Sequence, residues 1–169
     1  MEQQSNAIIN ALGVPFVWRT IEKKDFEKYS ILSTYDAKAI YAWVTSNPKE
    51  KINTVTLYDY GNNTNLTEEL AESFEEIAEN TELQAEYNLF PVVCELVKLD
   101  KKKNIFFCVV KPKNSGILVS VDVYFVYDNK TYSLHTVIEK MKGQNFKEVV
   151  SLNPKISYIV DIIKSIKWK

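Results

Sequence analysis

A chain of 169 residues, 46 % apolar and 25 % charged, makes one domain (1–169) that can bury a core without a disulfide or metal staple. Its net charge of −1, with Lys and Glu mixed along the chain, argues against nucleic acid as a partner. Arg19 is the only arginine among 21 basic residues, which lowers the expectation of a phosphate or nucleotide site, since arginine is the preferred bidentate grip on phosphate.

Residues 1–14, MEQQSNAIINALGV, form a short helical or flexible segment, with a helix over 3–12 ended by Gly13. They lack the basic start and long apolar run of a signal peptide, and no apolar run approaches a membrane span. A cytoplasmic location is expected, or a periplasmic one if a leader has been removed. FVWRTI (16–21) reads as a strand, and EKKDFEKYSIL continues through a turn into a second. Ser33 then starts a helix, with Asp36 as its capping-box partner. Ala37, Ile40, Tyr41 and Val44 form the apolar face of that helix, and Asn47-Pro48 stops it.

INTVTLYDY (52–60) alternates as a strand and ends at the turn Gly61-Asn62-Asn63. Asn65 caps a helix whose apolar stripe is Leu66, Leu70, Phe74 and Ile77. Its other face carries Glu68, Glu69, Glu72, Glu75, Glu76 and Glu79. Such a run is ordinarily a solvated face; its sharper meaning is a docking surface for a basic partner.

From residue 82 on the pattern becomes β. Strand material flanks Pro91, DKKKN turns the chain, and IFFCVVKP (105–112) returns. After NSG, the runs 117–127 and 130–138 make a hairpin, rich in the Val, Ile, Phe and Tyr that strands favour. FKEVVSL is a short amphipathic piece. Pro154 opens a last helix at its first position, with Ile156, Ile159, Ile163 and Ile166 at helical spacing, and Trp168 closes the chain. Strands joined by short turns are antiparallel. The expected fold is therefore α+β: an antiparallel sheet of about six strands between helices, an α/β/α sandwich.

Cys94 and Cys108 lie in apolar strand runs and read as buried thiols acting as small hydrophobes. A four-residue loop between their strands puts them on opposite faces. A loop one residue longer or shorter brings them face to face, so a disulfide depends on register.

The single histidine, His135, lies in the hairpin. Asp128-Asn129 suits a two-residue turn because both residues tolerate positive φ. That turn sets Tyr127 against Lys130, Phe125 against Tyr132, Val123 against Leu134 and Asp122 against His135. One face then carries Val119, Val121, Val123, Phe125, Tyr132, Leu134 and Ile138, and must be core. The other carries Ser120, Asp122, Tyr124, Thr131, Ser133 and His135. Ser, His and Asp together suggest a nucleophilic triad, but they sit mid-strand, with no nucleophile elbow and no turn to supply oxyanion donors. A polar sheet face accounts for them, and Asp122, Tyr124 and His135 also make a plausible contact patch. One histidine and two cysteines at no ligand spacing argue against zinc. The four glycines form no phosphate loop. Asp59, Asn62, Asn63 and Asn65 lack the spacing of a calcium hand. No cofactor and no metal are expected.

The order of elements, with LTEELAESFEEIAEN before a strand meander and IVDIIKSIKW as a closing helix, resembles the Mog1/PsbP-like superfamily and its DcrB-type bacterial members, over about residues 16–168. That resemblance implies a single α/β/α domain around an antiparallel sheet and a mostly non-enzymatic role as adaptor or assembly factor. The expected function is a non-catalytic protein-interaction domain whose partner is a toxin or an assembly component. The acidic residues Glu68, Glu72, Glu75, Glu76 and Glu79 and the patch of Asp122, Tyr124 and His135 would make the contact. The alternative is a small-molecule carrier or enzyme, with a pocket lined by some of the ten Tyr and eight Phe.

Overall fold

A computed structural model describes residues 2–45, 53–99 and 103–166, with side chains from Ala7 onward. In chain order the elements are α1 (Glu2–Ala11), β1 (Arg19–Thr20), β2 (Lys38–Val44), β3 (Thr54–Asp59), α2 (Leu66–Ala78), α3 (Thr81–Tyr87), β4 (Leu89–Lys98), β5 (Asn104–Pro112), β6 (Leu118–Tyr127), β7 (Lys130–Glu139), α4 (Phe146–Leu152) and α5 (Pro154–Ser165). The strands form one sheet in the order β1-β2-β3-β7-β6-β5-β4, every pair antiparallel. Two meanders meet where β3 pairs with β7. The link between them, α2 and α3, carries the chain over one face of the sheet from the middle to the far edge.

The opposite face holds the main core. Val121, Val123, Phe125, Leu134 and Phe107 project from the strands onto Ile8 of α1, Val149 of α4 and the α5 residues Ile156, Ile159 and Ile163. These α5 positions recur every three or four residues, so one stripe of the helix meets the sheet along its length. Pro154 stands at the start of α5, as its missing N–H allows. On the α2 face the layer is thinner: Phe74, Leu70 and Ala71 pack on Phe106, Cys108 and Tyr124. The fold is thus α+β, an antiparallel sheet between two helical layers.

The β6–β7 register is the one that the Asp128-Asn129 turn dictates, with Val123 opposite Leu134 and Asp122 opposite His135. Both turn residues take positive φ, 48° and 63°.

Several local expectations are corrected. Residues 38–44 are a strand, not a helix. The apparent helical spacing of Ala37, Ile40, Tyr41 and Val44 reflects a bulge between Ala39 and Tyr41 that breaks the two-residue alternation. Ser33 caps no helix: its Oγ accepts from the Ala39 N–H at 2.9 Å, while Thr34 Oγ1 accepts from the Ala37 N–H at 3.1 Å. The hydroxyls fold a turn that launches β2. FVWRTI keeps only Arg19–Thr20 as strand, and the segment after it forms two 3-10 turns, Lys23–Asp25 and Glu27–Tyr29. Residues 81–87 are helical, because Asn80 Oδ1 accepts from the Glu82 and Leu83 N–H groups and starts a new turn. Asn65 stands at the start of α2 but makes no side-chain cap; Asn63 Oδ1 accepts the Asn65 N–H instead, at 3.1 Å. Asn47-Pro48 and Trp168 lie outside the described residues, as does most of the DKKKN turn.

Candidate functional site

One row of side chains crosses the α2 face of the sheet. Register pairs Cys94 with Cys108, Cys108 with Asp122, Asp122 with His135 and His135 with Thr56. Directly opposed residues point to the same face, so five strands contribute one residue each. Asp122 is the hub of the middle section. Its Oδ1 lies 3.2 Å from His135 Nδ1 and accepts from Ser133 Oγ at 3.4 Å. The Tyr58 ring meets the imidazole edge-on, with centroids 5.8 Å apart. Tyr60 packs on Tyr124 at 5.4 Å, Tyr124 on Phe106 at 5.8 Å, and Phe106 on Phe74 of α2 at 5.9 Å.

The polar face is therefore largely covered, and Tyr124 is not on the surface. Its exposure is 7 %, and Thr131 and Ser133 are fully buried. Asp122 and His135 stay partly open, with side-chain exposures of 18 % and 26 %. Burial tends to lower the His135 pKa, but the charge and hydrogen bond of Asp122 outweigh it, against a lesser opposing charge from Lys155; the net direction is up. Burial, then Asp122, pushes the Tyr60 phenol up to about 12, against hydrogen bonds to Tyr124 and Ser133. Tyr60 is a neutral hydrogen-bonding group at physiological pH.

This arrangement does not make Ser133 the nucleophile of a triad. Ser133 and His135 both address the same carboxylate oxygen, whereas a triad needs the serine on the imidazole and the carboxylate on the ring's other nitrogen. Nor does the row converge on a point: its residues stand one per strand, about 4.8 Å apart. Among the described residues no group of three His, Cys, Asp or Glu side chains could hold a metal ion.

A second feature lies beside the row. Glu68, Glu69, Glu72, Glu75 and Glu76 on α2, and Glu79 at its C-cap, are all exposed. Between this ridge and β4 runs a groove of about 420 Å3, lined by Phe74, Glu75, Pro91, Val92, Cys94 and Leu96 among others. β4 ends the sheet, so its outer side has no neighbour in the sheet order. Phe90, Val92 and Leu96 are 52 %, 40 % and 52 % exposed along it. Of the predicted glutamates the structure brings Glu75 into this groove, while on the adjoining sheet face Tyr124 is buried and Asp122 and His135 are partly open. The β4 residues were missed by sequence reasoning. Pro91 within an apolar run was the available signal, because proline is confined to edge strands and bulges.

Among the described residues no helix is long and apolar enough to cross a membrane. In comparisons with known proteins, no family model matches the chain, and no curated protein matches it.

Proposed function

We propose that this chain is a cytoplasmic, non-catalytic protein-interaction domain, in the manner of an immunity protein that masks a toxin or an adaptor for an assembly component. The observation that carries this reading is the groove between α2 and β4: a sheet edge with no neighbouring strand, exposed Val92 and Leu96, and Glu75 in its lining beside the other exposed glutamates of the α2 segment. Apolar side chains beside open backbone groups suit an extended segment that adds as a further strand. The glutamates select a segment carrying lysine or arginine and speed its encounter. Pro91 denies the ladder one N–H, so pairing would run along the part of β4 beyond it. The adaptor roles implied by the Mog1/PsbP-like resemblance agree with this.

The test is capture from the source cell with tagged protein, alongside a Glu72→Lys/Glu75→Lys/Glu76→Lys variant and, separately, Leu96→Glu. A stoichiometric partner should be retained by the parent protein, weakened at least about tenfold by either variant, and released by salt from the parent. A partner held equally by all three proteins would remove the groove from the reading.

A further inference from the structure

Cys94 and Cys108 are both thiols, and they differ in a way that the rest of the site does not use. Leu99 N–H donates to the Lys103 carbonyl at 2.8 Å, so those two residues face each other as a hydrogen-bonded pair at the end of the β4–β5 ladder. Counting back along the ladder, Cys94 opposes Cys108 at a non-hydrogen-bonded position, where facing Cα atoms approach to about 4.5 Å. Disulfides bridge Cα separations of about 4.4–6.8 Å. The two Sγ atoms are already 3.5 Å apart. Cys94 is half-buried and lines the groove, whereas Cys108 is 2 % exposed behind it.

We infer that Cys94 and Cys108 form a reversible disulfide site that exchanges with low-molecular-weight disulfides such as glutathione disulfide, Cys94 being the attacking sulfur and Cys108 the resolving one. The site stands on its own geometry, independent of the docking reading.

The electrostatics assign the order of events. Hydrogen bonding with Cys108, and less so with the Val109 backbone, lowers the Cys94 pKa, against burial and the Glu95 charge. Hydrogen bonding to Cys94, then burial, then the charges of Cys94 and Asp122 raise that of Cys108. Of the two sulfurs Cys94 is the one that ionises more readily and the one that the groove exposes, and the thiolate is the nucleophile in exchange. It attacks one sulfur of glutathione disulfide; that S–S bond breaks, and one glutathione thiolate leaves and takes a proton from solvent. Once Cys94 is in the mixed disulfide it bears no charge, so its own contribution to raising Cys108 disappears. Cys108 then gives up its proton and its sulfur attacks Cys94 Sγ. The second glutathione leaves and is protonated. Two protein thiols have lost two electrons, and one glutathione disulfide has become two glutathione thiols.

The experiment equilibrates the reduced full chain in glutathione buffers of rising oxidised fraction, quenches with acid, alkylates with N-ethylmaleimide and reads intact mass. In oxidising buffer both thiols should escape alkylation, with the mass lowered by two hydrogens, no glutathionyl group retained, and one peptide pair joined through residues 94 and 108. Cys108→Ala should instead retain one glutathionyl group on Cys94. Cys94→Ala should leave Cys108 modified at least about tenfold more slowly than Cys94 reacts in the parent. A parent chain that keeps glutathione on Cys94 without closing overturns the proposal, and so does one whose thiols both still alkylate in the most oxidising buffer. A disulfide that forms only in denaturant overturns it as well. The parent result decides closure by itself, so a variant that fails to fold by circular dichroism does not leave the question open.

Discussion

The exposed strip of the polar row is one imidazole against one carboxylate, and its energetics follow from the direction of the His135 shift. Asp122 raises the histidine above its ordinary 6.5, so the folded protein binds that proton more tightly than the unfolded chain does. The stability gained is fully present below the unfolded value and is lost as pH rises through the folded one. His135→Gln should therefore cost more stability at about pH 5.5 than at about pH 8.5, read by urea melts at both. A penalty that grew with pH would mean that the histidine is held neutral. Gly143 makes a different demand. Its φ is +104°, and a Cβ there would lie 2.7 Å from the Val149 backbone nitrogen in α4. Backbone cannot swing aside as a side chain can, so Gly143→Ala should cost about 2 kcal/mol or more, visible as a lowered urea midpoint. Neither demand was legible beforehand: the histidine's partner was read from the hairpin turn, but the burial that competes with it was not, and Gly143 has no local motif.

Helices α3 and α4 start where a side chain accepts orphan N–H groups, and the acceptor need not be nearby in the chain. Asn80 Oδ1 takes two N–H groups of α3 within its own segment. Asn80→Ala should cost about 1 kcal/mol, and proteolysis near residue 80 should quicken as the first turn of α3 frays. At α4 the Phe146 N–H donates to Glu95 Oε2 at 2.7 Å, from a residue 51 positions away on β4. Glu95→Ala removes that acceptor and should cost about 1 kcal/mol, with faster amide exchange confined to the start of α4. The first bond could be anticipated from Asn followed by Glu. The second could not, because it exists only once β4 and α4 share a face. Residues 33–44 failed for a related reason. Ser33, Asp36 and a periodic apolar set mimic a helix, yet Ile40, Tyr41, Trp43 and Val44 are strand formers, and β3 supplies the ladder that settles the choice.

At the scale of the whole molecule, stability rests on one face of the sheet. Ile156, Ile159 and Ile163 of α5 are fully buried against the strands. Ile159→Ala should cost about 2–5 kcal/mol, since the packed layer can only partly collapse on the cavity; the check is an equilibrium urea melt. The α2 layer buries less, with Leu70, Ala71 and Phe74 only partly covered, so Phe74→Ala should cost less than Ile159→Ala in the same assay.

What the amino-acid order determined by itself was local. Two-residue alternation and the Asp128-Asn129 turn set the β6–β7 register, three-to-four-residue spacing set the buried stripe of α5, and together these made the fold α+β. Such signals survive in isolation because backbone geometry and turn chemistry act between near neighbours. What only the tertiary structure decided was non-local. It joined β3 to β7, laid α2 over the polar face so that Tyr124 sank beneath it, left β4 as an edge, and brought Cys94 to 3.5 Å from Cys108. Each of these depends on which surfaces are buried together, and burial is a property of the assembled layers rather than of any segment.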